Sequence, residues 1–387
     1  YTMLAIFALF LQAKFGFSAV ATSNIFAGFL AFVYFLPLFG GFLADKFGYS
    51  RMVTIGIIVM FFGYVFLTLP FFGQSGIVTM FGALFLIAIG TGLFKGNLQV
   101  IIGNLYDAPQ YQSKRDSAFS LFYMAINLGA MFAPVAATKV TEYFMAKYDL
   151  VYNGAIPALC HKFLAGDTSV AQQLTELAQQ QLAFTGDLAL FAELYIKKLS
   201  ESYHWGFAIA CFSMVLSIVI YGFSFIVVKR NKQEAKQIEE SNTLKQELSP
   251  EQTKKRISAL MLVFAVVIFF WMAFSQSGLT LTFFARDYTT SYAEGFTRIG
   301  FDIWNLVLLT IAVYGAFAIF QSEKKLNKLI ATAITFIAII GVCIKYFSLG
   351  NTTSDILPQT FQQFNPFFVV VLTPVFINLF GAMAKRG

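Results

Sequence analysis

Apolar stretches of membrane-spanning length recur along this chain, near 22–44, 52–72, 77–102, 117–138, 205–228, 257–284, 302–321, 327–347 and 364–383, after a shorter one at 1–13. About 20 residues of helix cross the hydrocarbon of a bilayer, and only backbone hydrogen-bonded within itself is stable there. The pattern therefore predicts an all-α integral membrane protein with ten helices. Composition agrees: 58% of the residues are hydrophobic, 12% are charged and Phe alone supplies 48 of 387. The net charge of +7 is no sign of nucleic acid, because the basic residues fall between apolar runs. Cys160, Cys211 and Cys343 are too scattered for a disulfide framework or a metal site.

Lys and Arg set the orientation, since they concentrate on the cytoplasmic side. With the start of the chain inside, the cytoplasmic set is Lys46 and Arg51, Lys114 and Arg115, the basic residues of 229–256, Lys324, Lys325 and Lys328, and Lys385 and Arg386. The charged stretch 229–256 reads as a cytoplasmic linker. It separates a six-helix N-terminal bundle, 1–228, from 257–387, which holds the start of a second bundle. Within 142–203, apolar residues recurring at three and four predict an amphipathic helical pair on the outer face. The first run is too short to span, so the chain is expected to enter partway along its first helix.

Lys95 fits neither side, because it lies within the fourth run. A charge at bilayer depth costs roughly 2.5–3.5 kcal/mol on insertion scales, so it is kept for a reason. Thr91, Lys95 and Gln99 follow one another at helical spacing on one face. Other spans carry Tyr34; Tyr123 and Asn127; Trp271, Ser275 and Gln276; and Asn365. Buried polar groups in hydrocarbon must face one another or water, which predicts a central cavity lined by Tyr34, Lys95, Asn127, Trp271, Ser275 and Asn365. Each has a plainer reading: Lys95 as a snorkelling lysine, the asparagines as helix–helix glue, the aromatics as lipid-facing bulk. No His is expected in a span, and the acidic residues are expected in loops or at helix ends. Neither a metal-ligand cluster nor a nucleophile with an adjacent base is found, which argues against an enzyme and for a carrier without cofactors.

GGFLADKFGYSRMVTIG (40–56) resembles the loop after the second helix in the major facilitator superfamily. There Gly41, Asp45, Gly48 and Arg51 would act in gating, Gly41 by allowing close helix contact and Asp45 by engaging a helix N-terminus or basic group of the other bundle. IGTGLFKGNLQVIIGNLYD (89–107), FSLFYMAINLGAMFAP (119–134), FFWMAFSQSGLTLTFFARDY (269–288) and FQQFNPFFVVVLTPVF (361–376) resemble, in family order, helices four, five, seven and eight of the proton-dependent oligopeptide transporter (POT) family. The opening YTM resembles the end of its first-helix signature, E-x-x-E-R-F-x-Y-Y.

The resemblance implies symport of di- and tripeptides with protons, by alternating access of two helical bundles, in the cell (inner or plasma) membrane of a bacterium. Lys95 would serve proton coupling and the peptide carboxylate, with acidic partners ahead of Tyr1. Tyr1 and Tyr34 would line the pocket, Asn127 and Asn365 would hold the peptide backbone and amino end, and Trp271 would wall a side-chain pocket. Ser275 stands where many members carry Glu, Leu4 where some carry Arg, and Gly96 where proline is usual. By this resemblance 302–321 and 327–347 are additional helices, and about four C-terminal helices are missing. A monomer is expected, with a dimer left open. Two other readings stay open: a facilitator carrying another small anion or zwitterion, and a membrane sensor that binds peptides without moving them.

Overall fold

The computed structural model describes residues 1–71, 73–106, 110–112, 115–230, 249–348 and 353–384. Lys114, Lys385, Arg386 and residues 231–248 of the expected linker lie outside them. The described residues are overwhelmingly helical: α1 (Thr2–Phe15), α2 (Ala19–Phe47), α3 (Tyr49–Thr68), α4 (Gly73–Leu105), α5 (Arg115–Ala146), α6 (Ile156–Leu164), α7 (Ala171–Ala178), α8 (Leu188–Arg230), α9 (Pro250–Phe274), α10 (Thr280–Tyr288), α11 (Arg298–Phe301), α12 (Ile303–Gln321), α13 (Lys325–Ser348) and α14 (Phe364–Ala384). Among the described residues, eight helices have the length and apolarity to cross a membrane, and α1 is a shorter apolar one. Large apolar side chains lie exposed along these spans, among them Phe42, Phe212, Phe223, Leu262 and Phe269. Such surface is untenable in water and fits lipid contact. The chain is a multi-pass membrane protein.

The helices group into two compact units. One holds Tyr1–Leu9, Ser120–Tyr195 and Leu281–Gly387; the other holds Phe10–Phe119 and Ile196–Thr280. In the second unit α4 packs along both α2 and α3, at places where glycine removes the side chain. A Cβ on Gly40 would collide with the carbonyl of Gly92, and one on Gly92 would come within 2.7 Å of Leu36 Cβ. A Cβ on Gly90 would lie 2.5 Å from the amide of Met60. Close backbone approach through small residues is the usual way helices associate in lipid. The sequence reading gave this role to Gly41, but a Cβ there meets nothing within 4 Å. One residue is 100° of helix, so Gly40 faces α4 and its neighbour does not.

Also in this unit, α3 and α8 run antiparallel between two polar clamps. The Ser50 and Tyr221 hydroxyls meet at 3.1 Å, and His204 Nδ1 donates to the Leu67 carbonyl at 2.8 Å. The clamps are seventeen residues apart on both helices, about 25 Å at 1.5 Å per residue, close to the hydrocarbon thickness. His204 therefore lies within a spanning helix, contrary to the expectation of no His in a span. The expectation failed because α8 starts at Leu188, well before the apolar run at 205.

The first unit has its core where α5, α12 and α14 meet, around Met131, Leu306 and Phe367. Tyr314 crosses it, donating to the Val370 carbonyl at 3.0 Å, with Met124 Sδ at 3.2 Å. Thr335 and Ala331 pack against Gly315 to close the α12–α13 pair, and Lys345 binds both oxygens of Asp302 at 2.8 Å. A two-residue antiparallel β pair, Tyr292–Ala293 with Ser354–Asp355, is added to the expected all-α plan.

The expected helical pair of 142–203 is built differently. Two short helices, α6 and α7, are present, but the third amphipathic segment is the first part of α8 itself. Asp149 adopts a left-handed conformation, φ 57°, to end α5, which Asp tolerates better than most residues. The irregular strand that follows would bury unpaired amides; instead the Tyr195 hydroxyl accepts from Asn153 N–H and donates to the Val151 carbonyl, and Gln181 Oε1 accepts from Val151 N–H. The expected single span 257–284 is likewise divided. Its helix ends at Phe274, a 3-10 turn covers Ser275–Gly278, and α10 begins at Thr280. Gln276 and Thr280 hydrogen-bond each other here, and Ser and Gly are poor interior helix residues.

Two outcomes follow. Gly40→Val should lower thermal stability in detergent, by about 1–3 kcal/mol as overpacked cores do, whereas Gly41→Val should leave the melting temperature near that of the parent. Cys160 is fully buried, and burial pushes its thiol up to about 12, so almost no thiolate exists near neutral pH. Maleimide should label Cys160 only after denaturation; labelling of the folded protein would contradict this packing.

Candidate functional site

Three of the expected pocket residues meet in the second unit. The Lys95 ammonium sits 4.6 Å from the centre of the Tyr34 ring, and that ring lies 5.7 Å from the Trp271 ring at 47°. Trp271 is in turn edge-on to Phe270 and Phe274, at 5.6 and 5.2 Å. The depths agree. Lys95 is ten residues from the cytoplasmic end of α4 and Tyr34 thirteen from that of α2, about 15 and 20 Å at 1.5 Å per residue. A cation over an aromatic face gains about 0.5–2 kcal/mol, more when water is excluded. The ring thus offsets part of the cost of placing Lys95 at this depth.

What holds the lysine in place is a residue that sequence reasoning passed over. Asn97 is buried and donates through Nδ2 to the Gly40 carbonyl at 3.1 Å and to the Leu93 carbonyl at 2.8 Å. It stitches α4 to α2 at the glycine contact, two residues beyond Lys95. The signal was a mid-span asparagine beside the lysine, hidden by attention to the Thr91–Lys95–Gln99 face. On that face Thr91 instead donates to Ile87 O and contacts Met60 Sδ, a packing role, and Gln99 is exposed. Gly96 is open on its Cβ side.

Ser275, also in this unit, opens the 3-10 turn that interrupts the seventh span, four residues after Trp271. Tyr1, Asn127 and Asn365 belong to the other unit. Tyr1 and Asn365 are exposed, while Asn127 is buried and donates to the Tyr123 carbonyl of its own helix at 2.8 Å.

The expected gating residues surround the α2–α3 turn. Gly48 has φ +94°, a conformation that favours glycine, and its N–H donates to Ala44 O. Asp45 accepts from the side-chain hydroxyl of Tyr49, the first residue of α3. Arg51 is exposed one turn further on.

If the aromatic face carries the lysine, Tyr34→Phe should keep the arrangement and Tyr34→Leu should lose it. Trp271 fluorescence, read in a variant with Trp205 and Trp304 replaced by Phe, should therefore change for Leu and stay close to the parent for Phe. Equal spectra for both would remove the ring contact from the argument.

The chain spans about half the length of the curated relatives it matches. A di-/tripeptide transporter of Lactococcus lactis subsp. cremoris is 22% identical over 313 residues, covering 80% of this chain and 51% of the relative. The peptide transporter YePEPT of Yersinia enterocolitica is 27% identical over 248 residues, covering 58% and 43%. A crystal structure of a POT peptide transporter with sulfate aligns at a TM-score of 0.47 and 24% identity, covering all of this chain and 66% of that one. Residues 50–245, half of the chain, match the POT family, and the chain belongs to that family.

Proposed function

We propose that this chain forms part of a proton-coupled symporter that imports di- and tripeptides by alternating access. The observation that carries the reading is the Lys95–Tyr34–Trp271 arrangement at mid-membrane depth in a POT-family chain. An ammonium held over an aromatic face keeps its N–H donors for an arriving carboxylate. Tyr34 and Trp271 offer flat apolar walls that accept varied side chains at small entropic cost. Relatives described as di-/tripeptide transporters support the substrate class.

In this reading Lys95 binds the peptide carboxylate and takes part in proton coupling. Tyr1, Asn127, Ser275 and Asn365 complete the substrate surface, and Gly41, Asp45, Gly48 and Arg51 serve gating. Ser275 brings a hydroxyl where a carboxylate would titrate, so coupling rests on the lysine and on acids elsewhere. Residues 1–228 would act as one bundle and 257–387 as part of the second. No cofactor is needed, because the proton gradient supplies the driving force.

The test is uptake of labelled dialanine into liposomes carrying the whole protein, with and without an inward proton gradient. Accumulation should require the gradient and fall about tenfold or more in Lys95→Ala, the factor that corresponds to about 1.4 kcal/mol of lost interaction. Accumulation indifferent to Lys95, or none with any gradient, would overturn the proposal.

A further inference from the structure

A second titratable group sits in the membrane part of this chain, away from Lys95. Lys14 Nζ lies 2.6 Å from His204 Nε2, and His204 Nδ1 lies 2.8 Å from the Leu67 carbonyl. A carbonyl only accepts, so Nδ1 carries the hydrogen. In the neutral ring Nε2 then holds a lone pair, and it accepts from the Lys14 ammonium. The imidazole is thus a bridge between α1 and α3, with each nitrogen committed to a different helix.

Its surroundings fix the ring. Phe10 and Phe207 stand edge-on to it at 5.3 and 6.4 Å, and His204 is only 6% exposed. Lys14, partly exposed, leads outward from it, and its ammonium lies over the Phe10 and Phe15 rings at 5.4 and 5.6 Å. The groups facing the imidazole from each packed element can be named. From α1 it is the Lys14 ammonium, and from α3 the Leu67 carbonyl. On α8 itself, the nearby Glu201 is paired with Lys198 at 3.0 Å, and Tyr203 packs its ring on Phe10.

We propose that the Lys14–His204 pair is a further proton-binding site, reached from the extracytoplasmic side, that ties α1 to α8 while the imidazole is neutral. A proton from water bonds to the Nε2 lone pair. Two N–H donors then face each other across the former hydrogen bond, with like charges behind them, and Lys14 must turn away or give its own proton to water. The Nδ1–H bond to Leu67 is unaffected. Where Lys14 turns away, this polar tie of α1 to α8 is lost, while α3 and α8 stay clamped. The direction of use, acid outside, rests on the symport reading; the chemistry of the pair does not.

The test joins 15N NMR of histidine-labelled whole protein in nanodiscs with uptake measured against pH. The resonances lost in His204→Gln assign the residue. Near pH 8 the ring should be the Nδ1–H tautomer, Nε2 should gain a proton within about pH 5–8, the range in which imidazoles act as switches, and its shift should respond to Lys14→Met. Gln can keep both hydrogen bonds, its amide N–H to Leu67 and its amide oxygen to Lys14, without titrating. The dialanine uptake curve of His204→Gln should therefore lose a step that the parent shows on the acid side. An Nε2–H tautomer, absence of titration across that range, or an uptake curve that keeps every step in His204→Gln would overturn the proposal and leave a structural hydrogen bond. If the parent moves no dialanine under any gradient, the symport reading fails, while the NMR titration still decides whether the pair binds a proton.

Discussion

Hydrocarbon offers no partners to a backbone, and the rest of this structure follows from that constraint. Helix formation satisfies the amides and carbonyls internally, which leaves side chains as the means of distinguishing one helix from another. Lipid is as apolar as leucine, so hydrophobic burial adds little between spans, and close contact plus a few hydrogen bonds must fix the packing. Both are concentrated where α2 meets α4. Gly40 and Gly92 bring the backbones together, and Asn97 reaches the Gly40 carbonyl across the gap. The same helices carry Tyr34 and Lys95, so the contact that holds the bundle also sets the cation over the ring.

The interruption of the seventh span shows the reverse of this economy. From Ser275 to Gly278 the α pattern gives way to a 3-10 turn, and the Gln276 and Ser277 side chains donate to the Met272 and Phe274 carbonyls there. Ser275 sits at this break, one turn beyond Trp271. Such a joint can shift locally, whereas an uninterrupted rod would carry any local shift along its full length. Broken helices at binding depth are the common device of secondary transporters.

Much of the fold was legible in the sequence because spanning length and charge placement are one-dimensional signals. Each expected run coincides with a helix to within a few residues at most ends, and Lys95 stood out as a charge where none belongs. What escaped depended on direction around a helix. Gly40 and Gly41 are indistinguishable in a list of residues, yet only one faces α4. Asn97 was overlooked because the face chosen for Lys95 excluded it. His204 was set outside its span because hydropathy marks where the apolar run starts, whereas α8 begins well before it, at Leu188. Lys95, Tyr34 and Trp271 of the second unit lie together; Asn127 and Asn365 were grouped with them because polar groups in spans need partners, and Tyr1 by resemblance.

The length of α8 ties these points together. Its 43 residues extend about 65 Å at 1.5 Å per residue, twice the hydrocarbon thickness. The part beyond His204 builds the core of the outer segment, where the Tyr195 hydroxyl pins the strand after α5. The part between His204 and Tyr221 is held to α3 at both ends. His204 sits at the outer end of the stretch of α8 that is held to α3. A bond whose strength depends on one proton, placed at that point, acts on the whole helix rather than on a local turn.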